Sequence, residues 1–268
     1  MQKSIRILLN PRILTKTYSK LTVILNRARY YGFRYRCPFC RAKLKLFLPS
    51  GRAFPVIQEK HIIGGGYRQN AICPICGSMD RERLLYLYLR YKTDIFKRPT
   101  RVMHIAPESK IKSFLRKKTN INYLTCDLNR RDVTMVTDLT NVSCLDNSFD
   151  AVICNHVLEH IIDDRKAMSE LYRILKPGGW AILQVPISAS LESTYEDFSI
   201  LTPSERERVF GQADHVRIYA RDYTQRLEQV GFSVDIFEWS AHNHYFGGKK
   251  NRFGLIEDEH VYCARKPL

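Results

Sequence analysis

Four of the eight cysteines fall in two matched pairs, Cys37-Pro-Phe-Cys40 and Cys73-Pro-Ile-Cys76-Gly77, with 32 residues between the pairs. A C-P-x-C run turns the backbone tightly enough to aim two thiolates at one ion. Two such knuckles predict a tetrahedral four-sulfur site of the zinc-ribbon kind. Closed four-thiolate sites are structural, so Zn2+ is expected here to supply folding energy to a module too small to be stable alone. Two disulfides or an iron–sulfur cluster are the alternative readings. Cys126, Cys144, Cys154 and Cys263 lie in or beside apolar runs, as buried free thiols do.

A second set of chemistry-bearing residues lies further along. Asp127 and Asp138 each close a short apolar run. His156-Val-Leu-Glu159-His160 matches the H-x-x-E-H pattern of certain zinc proteases. That pattern needs a helix holding the metal between two imidazoles, and here it follows directly on a strand-like run, so the protease reading is set aside. His160 then reads as a structural histidine, and the role of Glu159 stays open. His156 and His215 are the candidate catalytic bases. His215-x-Arg217-x-Tyr219 projects to one side of an extended chain. Arg217 could clamp an anionic group there, with Tyr195 and Tyr219 as further substrate contacts. The alternative is that these residues only tie the segment down.

Alternating strand and helix patterns must position these groups. The sequence predicts strands at Arg101–Ala106, Tyr123–Cys126, Val133–Thr137, Phe149–Cys154, Trp180–Val185, Phe232–Glu238 and Val261–Ala264. Helices are expected at Ser109–Lys118, Asp163–Leu175 and Tyr223–Val230, and Lys176-Pro-Gly-Gly179 reads as a sharp turn. This order predicts an α/β fold with a doubly wound, mostly parallel sheet, whose ligands sit at the carboxyl ends of the strands. Asp127 and Asp138 fall at those ends. Residues 187–222 read as an insertion, a lid over the site. Ahead of this domain, 101–268, come a basic amphipathic leader (1–35), the cysteine module (36–80) and a linker helix (81–100) stopped by Pro99. Within the module, Leu44–Leu48 and Phe54–Ile57 look strand-like, and Gly64-Gly65-Gly66 looks like a turn.

The stretch FDAVICNHVLEHI…ELYRILKPGGWAILQVP, residues 149–186, resembles the class I S-adenosylmethionine-dependent methyltransferases, specifically type 11. The resemblance covers roughly residues 101–265. With CPxC…CPxCGS, HIAPE and HVRIYARDY, the whole chain is similar to a bacterial subgroup that carries an N-terminal zinc ribbon. Some relatives of that subgroup belong to surface-polysaccharide pathways. The resemblance implies a Rossmann-like, seven-stranded methyltransferase sheet and S-adenosyl-L-methionine as cofactor. It places Asp127, with Leu128 beside it, where the family's carboxylate binds both ribose hydroxyls. It places Asp138 and Leu139 at the adenine, and Asn155 and His156 along the methyl-transfer site. The first motif departs from the family: His104 takes the usual acidic position, and Ala106, Glu108 and Lys110 take the usual glycine positions. Pro107 stiffens the turn. His104, Ala106, Pro107 and Glu108 are nonetheless the expected cofactor contacts.

The chain has 268 residues and a net charge of +16, concentrated at the front: the first 45 residues hold twelve basic side chains and no acidic one. Such a surface attracts polyanions, RNA or an anionic membrane surface. From Ile13 to Tyr31 the residues Leu14, Tyr18, Leu21, Leu25 and Ala28 fall on one helical face, expected to pack on the module or the catalytic domain, with basic residues largely off it. No apolar run is long enough to span a membrane, and the N-terminus lacks a secretory pattern, so a cytoplasmic location is expected, with membrane-peripheral attachment as the alternative. Three functions compete: methylation of a small-molecule, sugar or glycan acceptor; RNA methylation through the basic front end; and a non-catalytic adaptor with a degenerate cofactor site.

Overall fold

The computed structural model describes residues 21–242 and 244–268. Leu14, Tyr18 and the rest of the leader before residue 21 lie outside them. Helix α1 covers 21–29. The cysteine module follows with β1 (Tyr35–Arg36), β2 (Lys43–Leu44), β3 (Leu48–Ser50), α2 (Pro55–Glu59), β4 (Ile62–Ile63) and β5 (Arg68–Ile72). Then come α3 (Asp80–Tyr91), β6 (Thr100–Ile105), α4 (Ser109–Leu115), β7 (Ile121–Asp127), β8 (Met135–Val136) and β9 (Phe149–Asn155). The chain continues through α5 (Asp164–Ile174), β10 (Leu175–Gln184), β11 (Ile187–Ser188), β12 (Tyr195–Glu196), α6 (Pro203–Phe210) and β13 (Arg217–Ile218). It ends with α7 (Tyr223–Glu228), β14 (Ser233–Glu238) and β15 (His260–Arg265).

The fold is α/β and Rossmann-like, built on a seven-stranded sheet in the order β14-β15-β10-β9-β6-β7-β8. β6 to β10 pair in parallel, while β15 runs antiparallel to both β10 and β14. Alternation along each central strand divides two apolar layers. Met103, Val152, Cys154 and Leu183 face α5 and α7, whereas Val102, Ala151, Ile153 and Ile182 face α3 and α4. The order reverses at β6, which lies between β9 and β7, so the crevice of a doubly wound sheet opens at the carboxyl ends of these strands.

Several local expectations are corrected. The Lys176–Gly179 run is not a separate turn but an irregularity inside β10, between the pairs Leu175↔Phe149 and Trp180↔Ala151. A Cβ on Gly179 would stand 2.8 Å from the Lys176 carbonyl oxygen, which only glycine avoids. Phe54–Ile57 is not a strand. Pro55 opens α2, where a missing N–H costs nothing. The expected linker helix is shorter, ending at Tyr91, and it is a structural layer of the sheet: Leu84, Leu85, Leu87 and Leu89 are buried against β6, β9 and β10. In α1, Leu21 and Leu25 are exposed rather than packed. Val23 and Tyr30 turn to the cysteine module instead, and Asn26 Nδ2 donates to the Pro74 carbonyl at 2.9 Å. No helix of the described residues is long and apolar enough to cross a membrane.

Candidate functional site

The four module cysteines converge. Cys37 and Cys76 Sγ are 3.6 Å apart, Cys40 and Cys73 Sγ are 3.8 Å apart, and all four sulfurs lie within 4.8 Å of one another. A disulfide would need about 2.05 Å. A tetrahedron with metal–sulfur bonds of about 2.3 Å has edges of about 3.8 Å. The donor set and its spacing therefore fit one tetrahedral ion. The residue after each knuckle, Arg41 and Gly77, adopts the left-handed conformation that turns the chain back, and Ser78 Oγ lies 3.3 Å from both Cys37 and Cys76 Sγ.

At the carboxyl ends of β6, β7 and β9 lies a cleft of about 500 Å3, bordered by Ala106, Asp127, Leu128, Asp138, Leu139 and His156. Asp127 Oδ1 accepts from the amides of Asn129 (2.9 Å) and Arg130 (3.0 Å), which fixes the carboxylate and leaves Oδ2 without a recorded partner among the described residues. Asp138 Oδ1 accepts from Thr140 N and Oγ1, at 2.8 and 2.9 Å. Ala106 holds φ 44°, the left-handed form that glycine adopts freely.

His104, Pro107 and Glu108 do not border this cleft. His104 is fully buried. Its Nδ1 lies 2.7 Å from the Tyr123 hydroxyl and its Nε2 2.7 Å from Glu108 Oε2. Glu108 Oε1 accepts from Asn155 Nδ2 at 3.0 Å. The Pro107 carbonyl accepts from Arg130. These side chains brace the cleft from behind.

A second cavity, about 430 Å3, lies between residues 50–68 and the lid. Here the chain between the two cysteine pairs leaves its module: Ile63 and Ile62 of β4 pair with Ile187 and Ser188 of β11, and Val56, Ile62, Phe210 and Ile218 form a shared apolar cluster. A Cβ on Gly64 would stand 3.7 Å from His156 Cε1, so the glycine run brings this wall against the sheet edge. His156 and His160 border both cavities.

Around that junction, His156 (φ 53°) places Nδ1 3.4 Å from Glu159 Oε1, and His215 Nε2 is 4.0 Å from the same oxygen. Burial pushes both imidazoles toward the neutral form, His215 down to about 4, against the pull of Glu159. Burial also opposes ionisation of Glu159, but its hydrogen bond with His156 and the surrounding imidazoles outweigh that and hold it at about 2. His156 Nε2 and Glu159 Oε2 are buried without a hydrogen-bond partner among the described residues.

Of the expected substrate contacts, Arg217 borders the second cavity, whereas Tyr195 and Tyr219 do not. Arg217 is buried: Nε donates to Glu196 Oε2 at 2.9 Å, and the terminal nitrogens donate to the carbonyls of Leu158, Ile161 and Ile162. Tyr219 donates to Asp164 Oδ2 at 2.6 Å. Arg226 links Asp164 and Glu196. The lid is thereby tied to α5 and α7. Tyr195 is 43% exposed and lies outside the residues bordering the second cavity. Sequence reasoning missed Arg81, which borders that cavity with a buried Nε lacking a partner among the described residues. It also missed the 50–68 wall, for which the glycine triplet was the one available signal.

The chain is similar to curated C-methyltransferases over a limited stretch. It is 31% identical over 88 residues to the ubiquinone/menaquinone biosynthesis C-methyltransferase of Klebsiella pneumoniae, spanning 31% of this chain and 35% of that protein. It is 34% identical over 73 residues to the demethylmenaquinone methyltransferase of Paenarthrobacter aurescens, spanning 25% of this chain and 29% of that protein. The chain thus spans about a third of the length of the curated relatives it matches. Among solved structures, the phosphoethanolamine N-methyltransferase 2 of Haemonchus contortus aligns at 19% identity and TM-score 0.45, covering 69% of this chain and 52% of that one. The 1,6-didemethyltoxoflavin-N1-methyltransferase of Burkholderia thailandensis aligns at 15% identity and TM-score 0.45, covering 69% and 76%. Residues 91–183, from the end of α3 to β10, match the family model of the methyltransferase domain.

Proposed function

We propose that this chain is an S-adenosylmethionine-dependent methyltransferase whose acceptor is a small polar molecule, such as a sugar or glycan hydroxyl. The observation that carries the reading is the meeting of two cavities at His156 and His160, one walled by Asp127 and Asp138 and the other by the lid. The second cavity, at about 430 Å3, has the size of a small-molecule site.

The cofactor supplies a methyl group on a positively charged sulfur. Asp127 would hold the ribose diol through its free oxygen, Asp138 would accept from the adenine amine, and Leu128 and Leu139 would flank the ring. Ala106 sets how closely the backbone approaches. His156, neutral and at the junction, would accept the acceptor's proton, and Arg81 would hold an acceptor oxygen. The residues His104, Pro107, Glu108 and Asn155 would act by fixing the cleft's back wall. The four module thiolates would hold Zn2+, which ties the front module together.

RNA as acceptor is the second reading, supported by the exposed Arg27, Arg29, Arg34, Arg36 and Arg41. Its mark would be RNA binding that falls steeply with salt. The same basic face beside exposed Leu21, Ile24 and Leu25 would suit an anionic membrane surface. The adaptor reading requires a plugged cofactor cleft, and the open cleft beside Asp127 weighs against it. The test is methyl transfer from labelled S-adenosylmethionine to fractionated cell extract. Label in a small polar fraction supports the proposal, and label confined to RNA favours the second reading. Label in neither fraction, with active control enzymes, contradicts both.

A further inference from the structure

The H-x-x-E-H run does not form a metalloprotease helix. His156 is left-handed, and Leu158–His160 is a single turn of 3-10 helix. That turn gathers a different set. One donor atom each from Glu159, His160 and His215 lie within 4.8 Å of one another, and all three residues border the second cavity.

Three features fit metal ligation. Glu159 is 2% exposed, and its Oε2 has no partner among the described residues. A buried carboxylate oxygen left so is costly unless something binds it. His160 Nδ1 lies 3.2 Å from the Asp214 carbonyl oxygen and 3.3 Å from its carboxylate. A proton donated there leaves Nε2 as a lone pair, the arrangement that orients ligating imidazoles elsewhere. His215 Nε2 and Glu159 Oε1, 4.0 Å apart, are too far for a hydrogen bond. Two ligands of a tetrahedral ion with bonds of about 2.0–2.2 Å stand about 3.3–3.6 Å apart, so this pair must close by about half an ångström to share one.

We propose that Glu159, His160 and His215 form a second metal site, which takes a divalent transition cation and leaves coordination positions open toward the acceptor cavity. Two imidazoles and one carboxylate suit zinc, iron, cobalt or manganese, and three protein ligands mark an open, reactive site. Resting on the methyltransferase reading, the ion's role is to bind an acceptor hydroxyl beside the cofactor and lower its pKa. The O–H proton passes to His156 at the junction, the oxygen lone pair forms the new O–C bond, and the C–S bond breaks with its electron pair going to sulfur. The ion keeps its oxidation state.

The test is titration of the full-length protein, isolated with its cysteine site filled, with Co2+. The expected result is visible absorption saturating at one added equivalent, without a sulfur-to-cobalt charge-transfer band. His160→Ala and His215→Gln should each weaken Co2+ binding at least about tenfold with little change in thermal melting. A wild-type protein that takes up no added cobalt overturns the site, as does wild-type affinity in both variants. Even if the variants fail to fold, the wild-type stoichiometry decides. Calorimetry with S-adenosylmethionine on the same preparations separates the two readings. Cofactor binding without cobalt binding overturns the metal site alone. Cobalt binding without cofactor binding keeps the metal site and removes its role in methyl transfer.

Discussion

His104 and Glu108 are joined by a 2.7 Å hydrogen bond, Nε2 to Oε2, across the turn that follows β6. With Tyr123 on the other ring nitrogen and Asn155 on the other carboxylate oxygen, this pair ties the ends of β6, β7 and β9 together behind the cleft. Burial pushes the Glu108 carboxyl up, but hydrogen bonding and charge from His104, with Asn155, outweigh it and lower the pKa from 4.5 to about 2. A depressed carboxylate stabilises the fold fully above its unfolded pKa. That stability is lost as pH falls from 4.5 toward about 2. Glu108→Gln should therefore be less stable than wild type near neutral pH and show a flatter acid limb in urea midpoints. An unchanged acid limb would contradict the pairing.

Ala106 sits at φ 44°. A left-handed conformation costs an L-residue about 1–2 kcal/mol, and glycine carries no such penalty. Ala106→Gly should stabilise the protein by about 0.5–1 kcal/mol after glycine's extra chain entropy. Urea unfolding reads this directly, and destabilisation would show that the methyl group is held by packing worth more than the strain.

Arg83 is fully buried and donates to five carbonyls, those of Asn70, Ala71, Ser78, Phe253 and Gly254, with its guanidinium 3.8 Å above the Phe47 ring. It joins the cysteine module, α3 and the segment before β15. Arg83→Met keeps the stem but strands the carbonyls, so a loss of about 3–5 kcal/mol is expected in chemical denaturation. A loss below about 1 kcal/mol would mean that water replaces the guanidinium without cost.

Elemental analysis should find zinc at the four thiolates, and Cys37→Ser should lose it. The variant should also become sensitive to protease within residues 35–79, because a metal held there would supply that module's folding energy. A zinc-free protein equally resistant to protease would contradict the structural role.

The sheet was legible because its strands are apolar runs punctuated by Gly, Pro and Asp, and those signals are local. The place of Asp127 at the cleft was legible for the same reason, because it ends β7; Asp138 falls two residues past β8, which is only Met135–Val136 rather than the expected Val133–Thr137. The wall of the second cavity was not legible, because β4 is two residues long and is held by pairing with β11, more than a hundred positions away. The extended reading of His215 to Tyr219 holds only in part: β13 covers Arg217–Ile218, and Tyr219 makes an isolated bridge with Ile187. The partners of Arg217 and Tyr219, the carbonyls after Leu158 and the Asp164 carboxylate, come from other elements, and no spacing rule names those. The braced turn at His104 likewise depends on Tyr123 and Asn155 from neighbouring strands, so sequence could see the missing glycines but not what replaced them.

Calorimetric titration of wild type and Asp127→Ala with S-adenosylmethionine tests the central claim most directly. The account predicts saturable binding to wild type at one site, and at least about tenfold weaker binding to the variant, roughly 1.4 kcal/mol, with an unchanged melting temperature. Absence of binding to wild type, or equal affinity in the variant, would contradict it.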